Sequence, residues 1–233
     1  MSISLVIPIK QLENAKQRLG TLLSAEERKV LFQAMVEDVL EAAISCDSVD
    51  EVMITTNDTV VAELGAQYGA RILPEPTEPG LIQAVTHAAN TLTEEGVNVM
   101  VFLPGDVPLV TVDELNVVLE GIGQSDENEM MIVPASDLGG SNCVVTSPPN
   151  CMNFGFGEDS FRRHLGIARE LGIEPSVARL PGIGLDVDTP QDLLELADEL
   201  VRKNLDTNTS RFLAENISLM KQLRKRYSAE TLG

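Results

Sequence analysis

Between residues 3 and 135 the chain alternates short apolar runs with helix-length amphipathic segments, and this alternation limits the fold more than any other feature. The run over 3–9, closed by Lys10, reads as a buried first strand. Ser24-Ala25-Glu26-Glu27 is a capping box that opens a helix to about residue 44. Runs over 51–55, 70–73, 97–103 and 130–133 read as further strands. Between them Asp58 caps a helix to about residue 68, and residues 81–92 carry helical periodicity. Thr111-Val112-Asp113-Glu114 forms a second capping box, for a helix to about residue 119. Regular alternation of strand and helix predicts an α/β fold, a Rossmann-like, mostly parallel sheet with helices on both faces. In such sheets ligands bind at the carboxyl ends of the strands. The loops after Ile9, Thr55, Leu103 and Val133 are therefore expected to line one crevice.

The second half is less regular. A strand is expected over 142–146, then a long loop holding Pro148, Pro149, Gly155 and Gly157, and a helix over about 158–171. Residues 175–179 suggest a short strand, and residues 185–188 a strand end. Thr189 and Pro190, with Asp192 behind them, suit the N-cap and first turn of another helix. A last amphipathic segment spans about 211–227 and ends in Arg224-Lys225-Arg226, charges that suit a helix C-terminus. No internal repeat or low-complexity linker interrupts the chain. The expected organisation is one domain over 1–204 and a C-terminal helical extension over 205–233, packed on the core or joining two chains as a homodimer.

Charge narrows the function. The net charge is −19, so nucleic acid and anionic membranes are not expected partners. Aromatic residues make up 3% of the chain and Trp is absent, which removes the stacking platforms of single-strand binders. Between Val30 and Phe161 the one basic residue is Arg71. An anionic substrate must then be held by the cations near the N-terminus, by backbone N–H groups, or through a metal. Three cysteines without a C-x-x-C pair give no disulfide framework. With no long apolar run and no charged leader at the start, a cytoplasmic location is expected.

Four groups of residues could carry chemistry. Lys10, Lys16 and Arg18 follow the first strand into the crevice, where cations can hold triphosphate oxygens, although the loop is neither a P-loop nor G-x-G-x-x-G. Asp106, in Leu103-Pro104-Gly105-Asp106, follows an apolar strand directly and can bind a hard cation or close an Asx turn. Asp186 and Asp188 point the same way in extended chain, and two like charges on one face favour a cation between them. Asp188 could equally favour the helix dipole behind it. The stretches 139–142 and 157–161 combine glycines with Ser141, Asn142 and Ser160, suited to an anion, although Ser160 also fits a plain N-cap. His87 and His164 are too isolated for a histidine metal site or a Ser-His-Asp arrangement. A phosphate oxyanion as nucleophile needs no general base, and the residues present can supply positioning and charge neutralisation.

At this point the motifs resemble a known family. Ile7-Pro8-Ile9-Lys10, Lys16-Gln17-Arg18-Leu19, Leu103-Pro104-Gly105-Asp106, Gly140-Ser141-Asn142, Gly157-Glu158-Asp159-Ser160 with His164, and Asp186-Val187-Asp188-Thr189-Pro190 are similar to the CofC family. These are 2-phospho-L-lactate guanylyltransferases of coenzyme F-420 biosynthesis. The resemblance runs from about residue 3 to about 195 and leaves the tail from about Asn204 outside. It implies a glycosyltransferase-A-like nucleotidyltransferase fold. It also implies a reaction in which GTP and 2-phospho-L-lactate give lactyl-2-diphospho-5′-guanosine and pyrophosphate. By analogy Lys10, Lys16 and Arg18 would hold the triphosphate. Asp106, Asp186 and Asp188 would hold Mg2+, and Ser141, Asn142, Gly157 and Ser160 the acceptor. Related acceptors are phosphoenolpyruvate, 3-phosphoglycerate and, more distantly, sugar phosphates; a non-catalytic nucleotide-binding protein is the reading from another class. Two positions depart from the family. Ser141 stands where Thr is common and keeps the hydroxyl, while Ile82 stands where Asn is common and leaves Gln83 as a substitute base contact.

Overall fold

The first apolar run becomes the centre of a sheet. In a computed structural model, which describes residues 1–13 and 15–228, β1 (Ile3–Pro8) pairs in parallel with β2 (Glu51–Thr55) on one side and β4 (Val99–Phe102) on the other. β3 (Arg71–Leu73) extends the parallel set beyond β2. Both faces of β1 are covered, which is why its sequence is continuously apolar rather than alternating. Leu5 and Ile7 pack with α1 (Ala25–Ile44), α2 (Thr59–Gln67) and α4 (Val112–Leu119). Val6 packs on the opposite face with Val85, Ala88 and Leu92 of α3 (Leu81–Glu94).

The seven-stranded sheet runs β3-β2-β1-β4-β6-β5-β7, where β5 is Glu129–Pro134, β6 is Ser141–Ser147 and β7 is Ser176–Val177. β6 is antiparallel to both of its neighbours, whereas β5 and β7 are parallel. Inserting one reversed strand has a direct consequence. Phe102 pairs with Val144, and Pro134 with Ser141, so the amino end of β6 lies beside the carboxyl ends of β4 and β5. Ser141 and Asn142 thereby join the crevice edge.

Several expectations change in the second half. Residues 175–179 contract to the two-residue β7. The 185–188 segment is not a strand. It is extended chain whose Leu185 and Val187 are buried, between the short α6 (Pro181–Gly184) and α7 (Pro190–Lys203). The helix expected over 158–171 is α5 (Ser160–Glu170). The single segment expected over 211–227 is two helices, α8 (Asn208–Glu215) and α9 (Ile217–Ser228), separated at Asn216. The side chain of Arg226 lies outside the described residues.

The extension folds back on its own chain. Asp38 of α1 accepts hydrogen bonds from Asn208 N at 2.7 Å and Thr209 N at 3.0 Å, satisfying amides that a helix start leaves free. Phe212, Leu213, Leu219 and Leu223 share a core with Leu31 and Met35 of α1 and Leu193, Leu196 and Leu200 of α7. Among the described residues no helix is long and apolar enough to cross a membrane, and Cys46, Cys143 and Cys151 are free thiols.

Candidate active site

The crevice is assembled from four segments that are far apart in sequence. After β1 the chain leaves the sheet with Ile9 N bonded to Thr55 O, and Lys10 stands exposed at the edge. The loop then turns back. Lys16 takes the left-handed conformation, at φ 54° and ψ 41°, and starts a 3-10 turn over Gln17–Thr21. A non-glycine residue held there is uncommon, and here it turns the side chain inward. Buried Leu19 anchors the turn.

The Lys16 side chain is 5% exposed, and its Nζ lies 2.5 Å from Asp106 Oδ2 and 2.8 Å from Asp188 Oδ1. It also sits 5.5 Å from the centroid of the Phe32 ring. Burial works against the Lys16 charge, but Asp106 and Asp188 outweigh it and hold the ammonium above its usual range. Asp188 shows the reciprocal effect. Burial opposes its ionisation, yet the charge and hydrogen bond of Lys16, helped by Arg18, hold it below the usual carboxylate range. Arg18 is 74% exposed and 3.9 Å from Asp188 Oδ2, so it is an open cation at the rim. Of the three basic residues, then, Lys16 is drawn against two aspartates while Lys10 and Arg18 face solvent.

The two aspartate loops are stitched together by backbone. Val187 N donates to Asp106 O at 3.1 Å. With Leu185 and Val187 buried, Asp186 and Asp188 alternate toward the crevice, although no ladder forms there. Asp192 accepts from Asp188 N at 3.0 Å and Thr189 N at 2.7 Å, fixing the end of the segment. Asp186 Oδ1 accepts from Asn142 Nδ2 at 2.9 Å. Burial, opposed by that hydrogen bond and reinforced by the charges of Asp106 and Asp188, raises the proton affinity of Asp186.

Glu114 carries a role that its local motif conceals. Thr111 Oγ1 accepts from Glu114 N at 3.2 Å, as a capping box requires. The Glu114 carboxylate does not return to Thr111. It accepts from Gly182 N at 2.7 Å and Ile183 N at 3.1 Å. A Cβ on Gly182 would meet Leu109 O at 2.2 Å, so glycine is required for that approach. The carbonyls of Ile183 and Gly184 in turn receive Asn142 Nδ2 at 3.0 and 3.2 Å. The second capping box is thus half formed, and its acid supports the segment that orients Asn142 and Asp186.

Behind Ser141 the second half of the chain ties the 139–142 turn to α5. Phe161 N donates to Gly139 O at 3.3 Å, joining the 139–142 turn to the start of α5. Gly157 adopts φ 112°, and Ser160 N donates to Gly157 O at 3.1 Å. Ser160 is buried as the first residue of α5, and Asp159 occupies the N-cap position, so a plain N-cap is not what Ser160 does. Ile82 is exposed near the start of α3, and the carboxamide of Gln83 lies over Gly80.

The site brings together Lys16, Asp106, Asp186, Asp188 and Asn142, with Lys10 and Arg18 at the rim. Among the described residues no three His, Cys, Asp or Glu side chains are arranged as a metal cage. Lys16 Nζ bridges Asp106 and Asp188, and Asp186 lies close enough for both of their charges to raise its proton affinity; carboxylate oxygens of this kind are the donors a hard divalent ion takes.

The chain matches the family model described as "Guanylyl transferase CofC like" over residues 3–222. That match includes α8 and part of α9, which corrects the expectation that the tail from about Asn204 lies outside the family. A phosphoenolpyruvate guanylyltransferase from Conexibacter woesei is 35% identical over 193 residues, covering 83% of this chain and 86% of the relative. A 3-phospho-D-glycerate guanylyltransferase from Colwellia psychrerythraea is 32% identical over 197 residues, covering 84% and 92%. In fold, a chain from Desulfovibrio desulfuricans G20 assigned as a nucleotide-diphospho-sugar transferase superposes with TM-score 0.79 at 19% identity. It covers 96% of this chain and 99% of that one. With the crevice built as above and the match spanning nearly its whole length, this chain belongs to the CofC-like guanylyl transferase family.

Proposed function

We propose that this enzyme joins the GMP moiety of GTP to the phosphate of a three-carbon 2-phospho acid, 2-phospho-L-lactate or phosphoenolpyruvate, releasing pyrophosphate. The observation that carries the reading is the pairing of Asp106 and Asp188 on one buried ammonium, Lys16, with Asp186 near enough to feel both carboxylates. A phosphate oxygen of the acceptor forms a bond to the α-phosphorus of GTP. The bond from that phosphorus to the oxygen bridging to the β-phosphorus breaks, and pyrophosphate leaves with the electron pair. The nucleophile is already ionised at neutral pH, which agrees with a crevice where, among the described residues, no free histidine or cysteine stands as base.

Asp106, Asp186 and Asp188 supply the oxygen donors for Mg2+, which when bound neutralises charge on the α-phosphate and the leaving group. Lys16 keeps Asp106 and Asp188 at a common focus. Lys10 and Arg18, exposed at the rim, are placed to attract the triphosphate. The wall formed by Ser141, Gly157 and Ser160 is the acceptor side, and Asn142 serves it by orienting Asp186. 2-Phospho-L-lactate and phosphoenolpyruvate differ only in two hydrogens, so both fit one site chemistry. The relatives' names favour testing phosphoenolpyruvate first, and the motifs favour phospholactate in coenzyme F-420 biosynthesis.

The test is a matrix of the four ribonucleoside triphosphates against 2-phospho-L-lactate, phosphoenolpyruvate and 3-phospho-D-glycerate, with magnesium, reading pyrophosphate. GTP with one of the two 2-phospho acids is expected to give the highest kcat/KM. Preference for 3-phospho-D-glycerate would overturn the acceptor assignment. Tight GTP binding with no pyrophosphate from any pair would overturn the enzymatic reading in favour of a nucleotide-binding protein.

A further inference from the structure

His164 is fully buried, and no step of the reaction above uses it. It lies on α5 against the rings of Phe154 and Phe156, the latter with its centroid 4.9 Å away. Both ring nitrogens have partners. Nε2 is 2.9 Å from Gly155 N, and Nδ1 is 2.9 Å from Ser141 Oγ. A backbone amide can only donate, so Nε2 must be the bare, accepting nitrogen. The one ring proton of a neutral imidazole is then on Nδ1, and it points at Ser141.

This fixes the direction of the hydroxyl. Ser141 Oγ accepts from His164, so its own proton must be directed elsewhere. Among the described residues no acceptor for that proton is present, since the bond to His164 is the one hydrogen bond that Ser141 Oγ makes. Ser141 is itself buried, at the amino end of β6 where that strand meets the crevice. A buried donor without an acceptor is costly unless a ligand or water oxygen completes it.

We infer that His164 is a positioning residue that locks Ser141 as a hydrogen-bond donor toward an anionic oxygen, carboxylate or phosphate, of the acceptor. The inference rests on the reading of this wall as the acceptor side. The surroundings keep the imidazole neutral. Burial pushes its pKa down to about 4, against the Ser160 carbonyl, which favours the charged ring, and with the charge of Arg163, which disfavours it. The Gly155 contact is equally enforced. A Cβ at that glycine would lie 2.7 Å from Arg163 Cδ, and the Arg163 guanidinium binds the carbonyls of Phe156 and Glu158. The loop that presents Gly155 N is thereby held in place.

The first arm of the test is nitrogen NMR on histidine-labelled protein. The chain has two histidines, so a His87→Gln variant assigns the spectrum. The expected result is an Nδ1–H, Nε2-bare ring for His164 that does not change between about pH 5 and about pH 8. An Nε2–H tautomer, or a cationic ring in that interval, would overturn the inference. The second arm is kinetic. Ser141→Ala and His164→Gln are expected to raise the acceptor KM roughly tenfold with the GTP KM unchanged, the loss of one hydrogen bond to a charged group. His164→Asn, whose amide N–H falls near the place of Nδ1–H, is expected to stay within about threefold of wild type. A wild-type acceptor KM in Ser141→Ala overturns the inference while leaving the guanylyl transfer reading intact. If no acceptor yields pyrophosphate, that reading fails separately, and titration with phosphoenolpyruvate in the NMR arm decides. Shifted His164 nitrogens then support the donor role, and unmoved ones overturn it.

Discussion

Replacing Asp188 with Asn is expected to lower guanylyl transfer by about three orders of magnitude or more while the protein stays folded. The side chain is 47% exposed, and its backbone amide is held by Asp192, so the local fold does not depend on the charge. The expected chemical cost is large because the change removes one of the three proposed metal ligands and one of the two anionic partners of Lys16. Turnover measured as pyrophosphate release, with a thermal melt on the same sample, separates the two effects. Wild-type turnover in a folded variant would contradict the assignment of Asp188 to the reaction.

Lys16→Met is expected to damage both stability and turnover. A buried ammonium flanked by two carboxylates is costly to remove, because the change leaves charges facing each other without a counter-ion. Half-exposure of Asp188 lets water screen part of that repulsion, so the expected destabilisation is about 2–4 kcal/mol, read by denaturant unfolding. Magnesium should then raise the melting temperature of Lys16→Met more than that of the wild type, since a divalent ion replaces the lost charge. Turnover is expected to fall by about a hundredfold or more even at saturating magnesium, because a divalent ion and the exposed Arg18 restore charge without the fixed geometry in which the buried ammonium holds Asp106 and Asp188. An unshifted melting temperature on adding magnesium to the variant would argue against a divalent site among these aspartates.

Much of this site was legible before the fold was known, and the exceptions have physical causes. Apolar runs located β1, β2 and β4 because a strand buried on both faces must be apolar throughout. β6 is also buried along its whole length but mixes polar with apolar residues, and nothing in it marks parallel or antiparallel pairing, so the entry of Ser141 and Asn142 into the crevice followed only from its reversal. Asp186 and Asp188 do alternate with buried neighbours as extended chain predicts, though for a different reason. The alternation comes from the burial of Leu185 and Val187 rather than from a sheet ladder.

Lys16 looked like a triphosphate ligand. Its observed partners lie 90 and 172 residues away, beyond any local pattern. Glu114 matched a capping box, but two backbone donors from α6 outcompeted the local one. His164 seemed isolated in sequence because the signal that defines it is a pair of contacts, one to each ring nitrogen.

The central claim is that bond breaking occurs at the α-phosphorus of GTP and that the acceptor phosphate is the nucleophile. GTP labelled at the α-phosphorus, incubated with magnesium and phosphoenolpyruvate or 2-phospho-L-lactate, tests it in one reaction. The label is predicted to appear wholly in a diphosphate joining guanosine to the acid, with none in the released pyrophosphate. Label recovered in GDP or free GMP, with the acid unchanged, would contradict it.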